Sequence, residues 1–148
     1  KLMEVGAILV VKTLDALVSG SIKPQLQAQN GDLKNAPKIF REDCRINWSQ
    51  PGAKIEAHMR GLSPYPAAFA TVQSAEVNGD MKITAATFLI DAEKAEKPLM
   101  KIVGKQLHVL LPDGTLVLEN VQLQGKRAMS ATDFINGIRE KQQIFTLI

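Results

Sequence analysis

Between Pro64 and Leu123 the chain is cut into short apolar segments by turn-forming residues, and this punctuation constrains the fold more than any other feature. Pro64-Tyr65-Pro66 enforces an extended entry, because the residue before a proline is pushed out of the helical region. Phe69–Gln73 reads as a first strand, Asn78-Gly79-Asp80 as a turn and Met81–Ile90 as a second strand. After a charged loop at 91–98, Leu99–Val103 and Gln106–Leu111 flank a Gly104-Lys105 turn. Pro112-Asp113-Gly114 predicts a hairpin in which glycine supplies a positive φ, and Thr115–Leu123 follows as a further strand. Five or so short strands with little helix between them predict a mainly β fold with flanking helices, a small closed barrel of the OB-like type.

Three helices are expected around that region. Leu2–Val18 has a helical pattern, with Gly20 as a stop and Pro24 beyond it. Its apolar residues, Val5, Ile8 to Val11, Leu14, Leu17 and Val18, cover more than one face, and such a helix needs burial on several sides. The rest of the chain can hardly enclose it, so the helix is expected to belong to a domain lying outside these residues. Residues 24–38, rich in Gln, Asn, Gly and Pro without a clean period, read as a linker. In the polar segment from Arg41 to Trp48, Ile46 and Trp48 alternate as an extended strand would. Ser49 is the expected N-cap of a second helix running to Met59, with Pro51 in its first turn and Gly61 at its stop. Ser130, with Asp133 in capping-box position, opens a third that runs to about Lys141.

The 148 residues are 45% hydrophobic and 22% charged, enough apolar material for one folded core and against disorder. The longest apolar run, Val5 to Val11, falls far short of the roughly 20 residues a membrane-spanning helix needs. Glu4 and Lys12 break the signal-peptide pattern that a basic residue before an apolar run would suggest. A single cysteine, Cys44, gives neither an internal disulfide nor a cysteine zinc site, which fits a reducing compartment. With two histidines, His58 and His108, and no His-x-x-x-His spacing, no metal constellation is expected. Glu93 and Glu96, interleaved with lysines, read as a solvated charge run. There is no nucleophile elbow and no glycine-rich phosphate loop, so no complete active site is expected.

The charge is +3, but it is unevenly spread: residues 1–60 carry nine bases against six acids, 61–96 two against five, and 97–148 seven against four. Two basic blocks that a fold brings together would suit a polyanion, although a solvated lysine-rich surface is the ordinary reading. Lys126 and Arg127 stand just before a helix start, where free N–H groups also attract anions. Lys38, Arg41 and Arg45 form a second string, and Lys101 with Lys105 a third. Such cations on a barrel face would follow a nucleic-acid backbone, with Tyr65 or Trp48 offered for stacking, though tryptophan more often packs inside.

Ala36-Pro37-Lys38-Ile39, Arg45-Ile46-Asn47-Trp48-Ser49, Arg60-Gly61-Leu62-Ser63-Pro64-Tyr65-Pro66 and the late run from Gly125 to Phe134 resemble the C-terminal part of the methionyl-tRNA formyltransferases. The resemblance covers nearly the whole chain, and Gly125-Lys126-Arg127-Ala128-Met129-Ser130 is its most specific piece. It implies three regions: the last helix of a Rossmann-like catalytic domain (1–23), an interdomain linker (24–50) and an OB-like tRNA-binding domain (51–148). It also implies a cytoplasmic, monomeric parent enzyme that moves a formyl group from 10-formyltetrahydrofolate to the methionine of initiator tRNA. The family's Asn-His-Asp trio and Ser-Leu-Leu-Pro stretch have no counterpart here, so no catalytic residue, metal or cofactor is expected in this piece. The basic strings read above agree with this, and Lys38, Arg41, Arg45, Lys101, Lys105, Lys126 and Arg127 are expected to contact tRNA phosphates. Two alternatives stay open. The barrel serves a formyl-folate enzyme acting on other substrates, or it is a structural or oligomerising module, with Leu2–Val18 driving self-association.

Overall fold

The computed structural model describes residues 2–26, 35–90, 92–141 and 144–148. The chain divides into two compact units, residues 1–37 and 38–148. The first contains helix α1 (Leu2–Val18), with the bounds its periodicity predicts and none of its residues buried. Gly20 follows at φ +67°, the left-handed turn that ends a helix most cheaply in glycine. Residues 27–34 of the expected linker lie outside the described residues, whereas 35–40 carry no regular structure.

The second unit is a barrel. Its strands are β1 (Ala68–Gln73), β2 (Asn78–Leu89), β3 (Leu99–Val103), β4 (Gln106–Leu111), β5 (Gly114–Leu123), the two-residue β6 (Met129–Ser130) and β7 (Ile144–Leu147). Antiparallel pairing runs β2-β1-β7-β3-β4-β5, and β5 pairs back onto β2, so six strands close a ring. Closure removes the unpaired edges that an open sheet would expose. Alternation fills the interior: Val72, Met81, Ile83, Met100, Leu107, Val109, Leu111, Leu116, Leu118, Val121 and Phe145 are all fully buried. Strand β2 is long enough to pair with β1 through its first half and with β5 beyond it, and the register with β5 shifts at Thr84. Ser63 donates its hydroxyl to the Thr84 carbonyl at 2.7 Å, satisfying a group that the irregularity takes out of the ladder.

Several expectations change. Asn78-Gly79-Asp80 is strand, paired with Gln73, Val72 and Thr71; the turn lies earlier, where Ser74 and Val77 hydrogen-bond each other. A turn-forming composition has yielded there to ladder pairing. Helix α2 spans Gly52–Leu62, and Ser49 does not cap it, because the Ser49 hydroxyl is bonded to the Asn47 side chain at 2.6 Å. Pro51 occupies the cap position without a side-chain bond, and the Asp113 carboxylate, from the β4–β5 turn, accepts the Gly52 N–H at 2.8 Å. An anion at a helix N-terminus opposes the positive end of its dipole, so the cap is supplied by a distant hairpin. Gly61 lies inside the helix, which stops before Ser63-Pro64 instead.

Ser130 caps helix α3 (Ala131–Asn136) as expected, accepting the Asp133 N–H at 3.0 Å. The helix ends at Gly137, short of Lys141, and the chain returns as β7 to complete the ring. The Lys141 ammonium caps the helix from beyond its end, donating to the Ile135 and Ile138 carbonyls. The connecting segment is also held by Glu76, whose carboxylate accepts the N–H groups of Glu140 (2.8 Å) and Arg139 (3.0 Å). Those two bonds, helped by the charges of Arg139 and Lys141, hold the Glu76 carboxyl below its ordinary range. A carboxylate with a depressed folded pKa contributes stability that is present above its unfolded value and lost as pH falls through the folded one. On acidification the Arg139 and Glu140 amide resonances should therefore shift together with a midpoint below the ordinary glutamate value; Glu76→Gln should abolish that titration. Amide shifts that move around pH 6 would refute the clamp.

Candidate nucleic-acid interface

The register of three neighbouring strands decides which side chains face outward. Ala68 pairs with Ile83 and Ala70 with Met81, all four buried, so the intervening positions project from the barrel. Across β1, β2 and β5 the outer positions fall into a row, Phe69 opposite Lys82 opposite Gln122, with Thr71 opposite Asp80 beside it. Phe69 is nonetheless only 5% exposed. The segment entering the barrel lays two guanidinium groups over its ring, Arg41 at 4.9 Å and Arg45 at 5.0 Å from the centroid. A parallel bridge from Arg45 to Phe69 and the Ile46 N–H to the Phe69 carbonyl (2.8 Å) fix that segment on β1.

The cations are anchored as well as placed. Arg41 meets the Asp80 carboxylate at 2.6 Å, and the Thr71 hydroxyl donates to the other Asp80 oxygen at 2.7 Å. Arg45 reaches the Ile148 carbonyl at 3.3 Å and the Thr71 hydroxyl at 3.4 Å. Lys82 has neither a carboxylate nor a hydrogen-bond partner among the described residues.

A continuous groove runs over this face. One cavity of about 220 Å³ is lined by Arg41, Phe69, Asp80, Lys82, Gln122, Leu123, Gln124 and Gly125. A second, of about 280 Å³, shares Arg41, Phe69 and Lys82 and extends over Ile39, Phe40, Tyr65 and Pro66. At the other end a third shares Asp80 and Gln124 and reaches Glu76 and Lys126. Gly125 turns the chain there at φ +74°, and Gln122 donates to the Lys126 carbonyl at 2.9 Å, which presents Lys126 and Arg127 on the exposed turn before β6.

Of the seven basic residues expected to meet phosphate, Arg41 lines the groove, Arg45 stands beside it over the Phe69 ring, and Lys126, followed by Arg127, lies at one end. Lys38 lies 5.4 Å from the Phe40 ring, which lines the opposite end. Lys101 is not brought to the groove. It sits on β3, its ammonium held by both Glu93 oxygens at 2.7 and 2.8 Å. Lys105 stands exposed in the β3–β4 turn, where its carbonyl accepts the Thr132 hydroxyl at 3.4 Å. The N-terminus of α3 is already served by its own residues: besides accepting the Asp133 N–H, the Ser130 hydroxyl donates to the Asp133 carboxylate at 2.8 Å. Sequence reasoning missed Lys82, Gln122 and Gln124. For Lys82 the signal was available, since a cation between Met81 and Ile83 must face away from the core.

The remaining chemistry is structural. His108 shares a 3.1 Å hydrogen bond with Gln106; burial pushes its pKa down, the Lys101 charge adds to that, and Glu93 opposes it. The His58 Nε2 is buried without a partner among the described residues. Cys44 is buried and donates to the Phe40 carbonyl. Among the described residues no three His, Cys, Asp or Glu side chains converge to hold a metal, and no helix is long and apolar enough to cross a membrane. Among the described residues neither histidine hydrogen-bonds a carboxylate. Trp48 packs against the barrel core, whereas Tyr65 stands 86% exposed at the groove mouth.

Residues 38–139 match the family described as formyl transferase, C-terminal domain. The chain is 38% identical over 144 residues to the methionyl-tRNA formyltransferase of Bacteroides thetaiotaomicron, covering 94% of this chain and 45% of that protein. To the methionyl-tRNA formyltransferase of Flavobacterium johnsoniae it is 33% identical over 138 residues, covering 93% and 44%. The chain thus spans less than half the length of these curated relatives, and what it matches is their C-terminal part. Among solved structures, HypX from Aquifex aeolicus in complex with tetrahydrofolic acid superposes with a TM-score of 0.62 at 15% identity, over 85% of this chain and 22% of that one. That likeness concerns the fold. The family match over the barrel unit and the sequence identity to the C-terminal part of those enzymes agree, and the chain belongs to the formyl transferase C-terminal domain family.

Proposed function

We propose that this chain is the RNA-gripping part of a methionyl-tRNA formyltransferase, a cytoplasmic enzyme of translation initiation that formylates initiator methionyl-tRNA with 10-formyltetrahydrofolate. The donor site lies in the remaining part of such an enzyme, with α1 packed against it. The observation that carries the reading is the groove, where Arg41, Arg45, Lys82 and Lys126 line or flank a path in which Asp80 and Glu76 are the facing carboxylates. Lys38, Arg127 and the more distant Lys105 extend the positive surface. Lys101 contributes least, because Glu93 already neutralises it.

A barrel joined through a linker to the reaction centre raises the effective concentration of the acceptor end there. Its contribution is positioning, and proximity of that kind is worth several kcal/mol of barrier. The groove is preorganised for it: two guanidinium groups are already fixed over Phe69, so little freedom is lost when a phosphate arrives.

The test is retention of initiator tRNA on filters across a salt series. Every duplex phosphate deprived of its protein cation flattens the dependence of log K on log salt by about 0.9. Replacing Lys82 and Lys126 together with Ala should flatten the slope by about 1.6 to 1.8, the lower figure applying where one of the two phosphates is single-stranded, while Lys101→Gln should leave it unchanged. An unaltered slope in the double variant, or no retention of tRNA in dilute buffer, would defeat the reading.

A further inference from the structure

We propose that the groove takes an unpaired nucleotide, with its base stacked on Tyr65 and its phosphate on Lys82; this rests on the RNA reading above and names the kind of RNA element held. Three observations carry it. Tyr65 is an aromatic ring 86% exposed to solvent, although aromatic side chains are normally spent on burial. It lies between Pro64 and Pro66, whose fixed φ angles restrict the segment, so the backbone that carries the ring is already in place. Tyr65 and Lys82 line one cavity together with Arg41 and Phe69, which sets an apolar face beside an unpaired cation.

A paired base offers only its edges, because both its faces are covered by its neighbours in the stack. An exposed ring gains little from such a duplex beyond contact with its backbone. An unpaired base offers a whole face, and stacking on an aromatic side chain is worth enough that its loss is readily measured. The occupant also has to bring negative charge, since Lys82 and Arg41 line this cavity with no carboxylate among its described lining residues, and Asp80, which lines the adjoining one, is already taken by Arg41 and Thr71. A nucleotide with an accessible base satisfies both demands.

The experiment uses the 148-residue chain with two labelled probes, a twelve-nucleotide oligouridylate and a blunt twelve-base-pair RNA duplex, compared at equal phosphate concentration. Tyr65→Ala should weaken the oligouridylate about tenfold without changing its salt slope, because stacking releases no counterions. Tyr65→Phe should restore binding, since the ring and not its hydroxyl makes the contact. Duplex binding should be unaffected by either change. If Tyr65→Ala binds oligouridylate as tightly as the unaltered chain, this inference is wrong while the RNA reading stands. If neither probe binds at low salt, both fall.

Discussion

Phe145→Ala should cost the barrel about 3–5 kcal/mol, the usual penalty for emptying a buried phenylalanine site. Its side chain is fully buried, packs against Phe134 with ring centroids 6.0 Å apart, and stands on the four-residue strand that bridges β1 and β3. Truncation opens a cavity at the point where the ring is closed by the fewest residues. Against a domain stability of about 5–15 kcal/mol, the loss removes a large share of what holds the native state. Urea titration should show the midpoint falling with the slope unchanged, whereas Phe145→Leu, which keeps most of the volume, should lose less than about 1.5 kcal/mol. A midpoint unmoved by Phe145→Ala would mean that β7 is dispensable and that the barrel is effectively five-stranded.

Gly114→Ala should be nearly as damaging, about 3 kcal/mol, at the upper end of what overpacking costs. Gly114 was expected to supply a positive φ to the hairpin, yet it is not among the residues with that conformation. Its constraint is space: a Cβ there would come within 2.4 Å of the Leu89 carbonyl oxygen and 2.8 Å of the Phe88 ring. Gly52 presses on the same ring from α2, where a Cβ would approach it to 2.0 Å. Phe88 is thus wedged between two glycines, one on the helix and one on the hairpin. The ring can swing, but the Leu89 oxygen is backbone and cannot move without disturbing the β2–β5 ladder. Thermal unfolding of Gly114→Ala at a temperature within 1–2 °C of the unaltered chain would count against this account.

Much of this was written locally and could be read locally. The bounds of α1, β3 and β4 and the Ser130 cap follow from periodicity and from single capping residues, whose physics spans only a few positions. What escaped was long-range. The cap on Gly52 comes from Asp113, and nothing near Ser49 announces that its hydroxyl will be taken by Asn47. Ile144–Leu147 becomes a strand because the barrel needs a sixth member beside Val72 and Met100, a demand invisible within four residues. The groove was half legible: Arg41, Arg45, Lys126 and Arg127 could be counted as basic, but only the β1–β2–β5 register sets Lys82 beside Phe69 and Gln122.

Surface hairpins are usually where a domain accepts inserted sequence or new termini, since their tips carry few obligations. The Pro112–Asp113 turn is an exception, for its carboxylate is the N-terminal cap of α2 and its next residue admits no side chain. Lengthening it would uncap a helix that lies far away in the chain. Circular permutation and domain grafting in this barrel therefore belong at the Gly104-Lys105 turn, where the glycine has open space around it and, among the described residues, a weak 3.4 Å hydrogen bond from Thr132 is at stake.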